Sequence, residues 1–300
     1  MNLPSPCQEL KDSVLDKYNL SLWIKRDDLI HPHVSGNKWR KLKYNIQAAK
    51  AGGNNVLLTF GGAFSNHIAA TASAGKIAGL KTIGVIRGDE FFKDLNSTLN
   101  FAQNEGMKLH FINRSDYARK EESGFLNELK STFGDFFLVP EGGANEFGVK
   151  GCAEILTEEE REYDYICCPA GTGTTAAGVL MGMQAKQQLL AFSALKGGEQ
   201  LAKEVLKWND GSKSQMLQMI GSYHFGGYAK VKTELIDFTN DFYLKHQIPL
   251  DLIYTAKMMY GLYDLIQRDY FPSQSKILFI HSGGLQGNEG FRQKGINVIC

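Results

Sequence analysis

Short apolar runs rich in β-branched and aromatic residues recur along the chain, at 56–60, 82–86, 108–112, 136–139, 165–168, 216–220 and 277–281. Each is of strand length, and most are nearly continuous in apolar character, as strands covered on both faces are. Longer segments with helical spacing lie between them. In the last of these, Met259, Leu262, Tyr263 and Ile266 follow the i, i+3, i+4, i+7 rule. Alternating strands and helices predict a mostly parallel sheet with helices on both sides. Glycines cluster where strands should end: Gly61-Gly62, Gly142-Gly143, Gly171 with Gly173, and Gly283-Gly284. Ligands of open α/β sheets bind at the carboxyl ends of strands, so these turns are predicted to converge on one site. Gly197-Gly198 needs no more than the freedom of glycine in a tight turn.

Composition narrows the class. The chain has 300 residues, 43% hydrophobic and 22% charged, with a formal net charge of +1. It is long enough for one large or two moderate domains. The charge balance gives no pull toward nucleic acid or an anionic membrane. Residues 1–10 show no basic stretch followed by an apolar core, so no secretory signal is expected. The apolar runs are far too short to span a bilayer. Five cysteines, an odd number without framework spacing, fit a reducing cytoplasm. Cys167 and Cys168 stand in an apolar run and are expected in the core. His31 and His33 flank a proline with no further ligands nearby, so no metal site is expected.

Four regions carry candidate chemistry. In the first, Gly36 and Asn37 make a turn that opens a helix with Leu42, Ile46 and Ala49 on its apolar face and an end near Gly52. Lys38 falls in its first turn, where the helix dipole disfavours an ammonium and lowers its pKa. A neutral lysine amine is the nucleophile that attacks an aldehyde; a solvated surface lysine is the plainer alternative. In the second, Ser65, Asn66 and His67 follow a strand and precede an Ala-rich helix over 68–78. Ser65 suits an N-cap, or the three present a hydroxyl, an amide and an imidazole to a ligand. The third, Gly171-Thr172-Gly173-Thr174-Thr175, joins a buried strand to a helix. Its N–H groups and hydroxyls form an anion cradle suited to a terminal phosphate. The same stretch fits the G-x-G-x-x-A dinucleotide fingerprint, but residues 189–198 lack the acidic partner for a ribose. The fourth comprises Gly226-Gly227-Tyr228, Tyr254-Thr255-Ala256-Lys257 and His281-Ser282-Gly283-Gly284. Its tyrosines are either packing aromatics or site residues.

In this order the segments resemble the 1-aminocyclopropane-1-carboxylate deaminase and D-cysteine desulfhydrase group of tryptophan-synthase-β-like, fold type II pyridoxal-phosphate enzymes. The resemblance rests on Leu22-Trp23-Ile24-Lys25-Arg26-Asp27-Asp28-Leu29, Gly36-Asn37-Lys38 with Arg40-Lys41-Leu42, and Ser65-Asn66-His67. It continues through Pro140-Glu141-Gly142-Gly143, the 171–175 loop, Tyr254-Thr255 with Lys257, and His281-Ser282-Gly283-Gly284. It implies an α/β fold of two domains, each an open, mostly parallel sheet flanked by helices, with the cofactor in the cleft between them. Residues 1–41 and 149–300 would form the large cofactor-binding domain and 42–148 the small one. Lys38 would carry pyridoxal 5′-phosphate, with Asn37 beside it. Asn66 would bond the ring hydroxyl, and Gly171, Thr172, Gly173, Thr174 and Thr175 would hold the phosphate. Thr255 would approach the ring nitrogen. Ser65 would face the substrate, Tyr228 and Tyr254 would flank its reactive carbons, and His67 would be a further candidate for proton transfer.

The resemblance further implies a small amino acid as substrate and a homodimer, with no nucleic-acid or membrane partner. Thr255 stands where the deaminase branch usually has an acid, and His67 where it usually has Gln. Both differences point toward D-cysteine desulfhydrase chemistry, with pyruvate, sulfide and ammonia as products. The deaminase reaction and a different amino-acid substrate are the alternatives. Phe64 replaces a usual Gln, Ala69-Ala70 an Arg-Gln pair, and Trp39 a small residue; these are expected to reshape the pocket wall. A nicotinamide oxidoreductase and a two-lobed solute-binding protein are the readings from other classes.

Overall fold

The computed structural model describes residues 1–299, whose strands form one six-stranded and one four-stranded sheet. The larger contains β1 (Cys7–Leu10), β2 (Ser21–Lys25), β7 (Tyr165–Ala170), β8 (Gln188–Ser193), β9 (Leu217–Ile220) and β10 (Lys276–Ile280), in the order β1-β2-β10-β7-β8-β9. The smaller contains β3 (Val56–Gly62), β4 (Lys81–Arg87), β5 (Met107–Ile112) and β6 (Phe137–Val139), in the order β5-β4-β3-β6. β1 runs antiparallel to β2, and every other pairing is parallel. This is the α/β architecture of parallel sheets flanked by helices that the alternating pattern predicts. None of the helices among the described residues is long and apolar enough to cross a membrane.

Side chains of the larger sheet alternate between two cores, as the strand period requires. Leu22, Ile24, Leu190, Ile277 and Phe279 face one, while Ile166, Leu189, Ala191 and Leu278 face the other. Cys167 and Cys168 point to opposite cores and both are fully buried, as expected of core residues. All the predicted strands are present, and three unpredicted ones accompany them: β1, β2 and β8. β2 ends in Lys25, a charge that argues locally against a covered strand. Its ammonium is buried against the Glu160 carboxylate, 135 residues away in the chain. A partner that distant leaves no local trace in the pattern.

The helix Asn37–Ala51 is fixed at its start by three contacts. Arg40 makes a buried bidentate pair with Asp27, Nε to Oδ2 at 3.1 Å and Nη2 to Oδ1 at 3.0 Å. Gly36 N–H donates to the Asp27 carbonyl at 2.8 Å, and Asn37 N–H to the Ser282 carbonyl at 3.1 Å. Gly36 has φ +61°, and a Cβ there would lie 1.9 Å from the Ser282 oxygen. Only glycine permits both that conformation and that approach.

Gly53, with φ +72° and no atom within 4 Å of where a Cβ would lie, isolates the conformational part of this constraint. Gly53→Ala should cost about 1–2 kcal/mol. Gly36→Ala should cost several kcal/mol more, or prevent folding. Equal shifts of the thermal midpoint in the two variants would show that the contact with Ser282 does not constrain the fold.

Candidate active site

A cleft of about 520 Å³ lies where strand ends of the two sheets meet. From the larger sheet come the loop after β7, with Gly171, Thr172, Gly173 and Thr175, and the turn after β10, with Ser282, Gly283 and Gly284. From the smaller come Asn66, in the turn after β3, and Gly142, after β6. Asn37, Lys38 and Lys41 enter from the helix Asn37–Ala51, and Tyr254 from the start of the helix Thr255–Gln267. Three of the four predicted glycine-rich turns therefore converge on one cleft; Gly61 and Gly62 do not line it, although Asn66 just beyond them does.

Gly173, at φ +82°, caps the helix Thr174–Gly182. The free N–H groups of the first helical turn and the positive end of the dipole attract an anion. The Thr172 and Thr174 hydroxyls are hydrogen-bonded to each other at 2.9 Å. Thr174 is buried and does not line the cleft, whereas Thr172 and Thr175 do. A Cβ on Gly171 would lie 3.0 Å from the Tyr254 ring and hydroxyl, so a side chain there would press that tyrosine back.

Lys38 is tied to this cradle. Its Nζ donates to Asn37 Oδ1 at 2.8 Å, and Asn37 Nδ2 donates to Thr175 Oγ1 at 2.9 Å. Burial, followed by the positive charge of Lys41, pulls the Lys38 ammonium down to about 7. Sequence reasoning anticipated the direction through the helix dipole; desolvation is the larger cause. Lys41, one helical turn on, is a second cleft lysine that the sequence reading left without a role. Its Nζ donates to the Gly142 carbonyl at 3.1 Å, and burial lowers its pKa as well. Its i+3 spacing from Lys38 was the available signal.

Ser65 caps the helix Asn66–Ala78, its hydroxyl accepting from His67 N–H at 3.2 Å and Ile68 N–H at 3.4 Å. Asn66 reaches the cleft; its Nδ2 donates to the Gly284 carbonyl at 3.2 Å, and its buried Oδ1 has no partner. His67 is buried behind the lining. Thr59 Oγ1 donates to the Val139 carbonyl at 2.8 Å, so it accepts from His67 Nε2 at 2.9 Å. That fixes the neutral imidazole with the proton on Nε2 and a bare lone pair on Nδ1, which has no partner. Burial, then Lys38 and Lys41, keep its pKa well below the usual histidine value.

Tyr228 does not line the cleft, but its ring stands 6.1 Å from that of Tyr254, edge-on to it. Desolvation raises the pKa of both, although Tyr228 is 47% exposed, so both remain phenols at neutral pH. Thr255 is fully buried and turned away from the cleft. Its hydroxyl donates to Asp251 Oδ1 at 2.8 Å. Asp251, which sequence reasoning missed, also accepts N–H bonds from Ile253, Tyr254 and Thr255 and so caps that helix. No local pattern marks it. Two expected changes to the pocket wall are absent from it. Trp39 packs beside Leu42, Leu57 and Val139, and Phe64 lies against Phe91 and Gly290 beside a separate groove. Ala69 and Ala70 are buried within their helix.

A family profile described as pyridoxal-phosphate dependent enzyme matches residues 2–283. A Pyrococcus horikoshii protein carrying the provisional name 1-aminocyclopropane-1-carboxylate deaminase is 31% identical, over 93% of this chain and 89% of its own length. The mitochondrial bifunctional D-cysteine desulfhydrase/1-aminocyclopropane-1-carboxylate deaminase of Arabidopsis thaliana is 30% identical, over 89% of this chain and 73% of its own. The crystal structure of an ACC deaminase homologue superposes with a TM-score of 0.82 at 29% identity, covering 97% of this chain and 92% of that one.

Loss of a proton from Lys38 creates its nucleophilic lone pair, so reactivity must rise with pH through its pKa. In cofactor-free protein, the rate of Lys38 acetylation by trace acetic anhydride, relative to an internal standard amine and read by peptide mass spectrometry, should increase through a midpoint near pH 7. A midpoint near the ordinary 10.5 would contradict the effect of burial.

Proposed function

Because the chain belongs to the pyridoxal-phosphate-dependent enzymes, in the 1-aminocyclopropane-1-carboxylate deaminase and D-cysteine desulfhydrase group, we propose that it is a D-cysteine desulfhydrase-like lyase. It takes D-cysteine and water to pyruvate, hydrogen sulfide and ammonia. The observation that carries this reading is the hydrogen-bond chain from Lys38 through Asn37 to Thr175, which joins an amine of lowered pKa to an anion cradle in one cleft.

The residues present fit the cofactor. Gly171, Thr172, Gly173 and Thr175 take its phosphate, with Lys41 as a nearby cation, and Thr174 supports the loop from behind through the Thr172 hydroxyl. The orphan Asn66 Oδ1 is an acceptor for the ring hydroxyl, and Lys38 is the lysine that holds the aldehyde carbon. When bound, the cofactor is an electron sink for charge released at the substrate α-carbon. Thr255, which the resemblance sets at the ring nitrogen, is buried outside the cleft lining with its hydroxyl committed to Asp251, and so stands behind the ring's place and not against it.

Proton transfer at the α-carbon falls to Lys38, whose pKa lies close to neutral pH. His67 is neutral and holds its one proton toward Thr59, which makes it an acceptor and not an acid. Tyr254, a phenol throughout the neutral range, is the O–H donor beside the departing sulfur, with the Tyr228 ring packed against it. Ser65 adjoins Asn66 but does not itself line the cleft; its hydroxyl proton is not used in capping, and the resemblance gives it the substrate carboxylate. Residues 42–148 act as the small domain and 1–41 with 149–300 as the large one. A cytoplasmic homodimer completes the reading.

The alternative, deamination of 1-aminocyclopropane-1-carboxylate, draws support from Asp251. Its carboxylate stands behind Thr255 and beside Gly284, where a Cβ would meet it at 3.3 Å. It would supply indirectly the acid that the deaminase branch carries at position 255.

Purified protein loaded with pyridoxal phosphate and given D-cysteine should release pyruvate and sulfide together. Lys38→Ala should lower that turnover on the order of a thousandfold or more and abolish the visible absorption of lysine-bound cofactor. Retained turnover in Lys38→Ala would remove the mechanism. Turnover of the cyclopropane amino acid alone would select the deaminase reading.

A further inference from the structure

Lys257 lies in the segment that carries Tyr254 and Thr255, yet it does not line the cleft and is 2% exposed. Its ammonium donates to the His224 carbonyl at 2.9 Å and the Gly227 carbonyl at 2.8 Å. The same two oxygens close successive turns. Gly227 N–H donates to His224 at 3.0 Å, and Lys230 N–H donates to Gly227 at 3.1 Å. The backbone between them is left-handed at Phe225 (φ 52°), Gly226 (101°) and Gly227 (118°), and again at Ala229 (53°). Phe225 and Ala229 carry a conformational penalty there that glycine does not. Such a loop holds one shape only when something outside it favours that shape.

Lys257 stands in the first turn of the helix Thr255–Gln267, where the dipole opposes a cation. Burial lowers the Lys257 pKa to about 8 against the raising effect of Asp251, and the two carbonyls accept from the ammonium. A buried ammonium so satisfied is a specific tie. At the end of the tied loop is Tyr228, whose ring packs edge-on against that of Tyr254, which begins the same helix. One helical turn thus carries one tyrosine and the lysine that holds the loop of the other.

We infer that Lys257 is a positioning residue for the reaction: it clasps the 224–230 loop and so sets Tyr228 against Tyr254. This rests on the reading that Tyr228 works at the substrate. In Lys257→Met both carbonyls keep their turn N–H donors, so the fold should survive; Lys257→Gln offers the same comparison with a neutral donor.

Hydrogen exchange of the cofactor-loaded enzyme, read on peptides covering 223–230 and on β8 as control, is measured alongside turnover of D-cysteine. Loop amides in Lys257→Met should exchange about tenfold or more faster, with β8 unchanged. Its kcat should fall on the order of a hundredfold with little change in KM, as in Tyr228→Phe. Unchanged loop exchange would overturn the proposal. A loosened loop with undiminished kcat would overturn it too. If Tyr228→Phe were then equally active, the fault would lie in the role given to Tyr228 and not in the tether.

Discussion

The contact of Gly36 with the Ser282–Gly283 backbone is the constraint from which the cleft follows. It presses the start of the Lys38 helix onto the turn after β10, at a distance that no side chain could occupy. The buried Asp27–Arg40 pair holds the same helix from the other side. A charge pair without solvent is costly to form and more costly to half-remove, so it gives position more than net stability. With the helix fixed, Lys38 projects between the cradle after β7 and the turn after β3.

The electrostatics of the cleft follow from that placement. Two lysines one helical turn apart are both desolvated beside a helix N-terminus, and the charge of Lys41 makes Lys38 harder still to protonate. An anion in the cradle would relieve this repulsion. The neutral His67, with its proton fixed toward Thr59, adds no further positive charge behind them. The arrangement favours an amine nucleophile next to a bound phosphate.

Much of this was legible in the sequence. Parallel strands covered on both faces read as continuous apolar runs, and the glycines after them marked where the site lies. Gly171 and Gly173 suggested the cradle, and the ordered motifs supplied the resemblance. What escaped was interaction at a distance along the chain. β2 was not predicted, and the partner that lets its Lys25 be buried, Glu160, is remote in the chain. Asp251 and the clasp of Lys257 on residues 224 and 227 depend on how a loop folds back onto a helix. Side-chain direction also escaped: Trp39 adjoins Lys38 in sequence but packs into the core beside Leu42, and Phe64 adjoins Ser65 but faces a different groove.

The central claim is that Lys38, and not its neighbour Lys41, holds the cofactor. Borohydride reduction of the pyridoxal-phosphate-loaded protein, followed by peptide mass spectrometry, tests it directly, because reduction fixes the cofactor to the lysine that carries it. One reduced cofactor per chain, on Lys38, is the expected result. Labelling of Lys41, or of neither lysine, would contradict it.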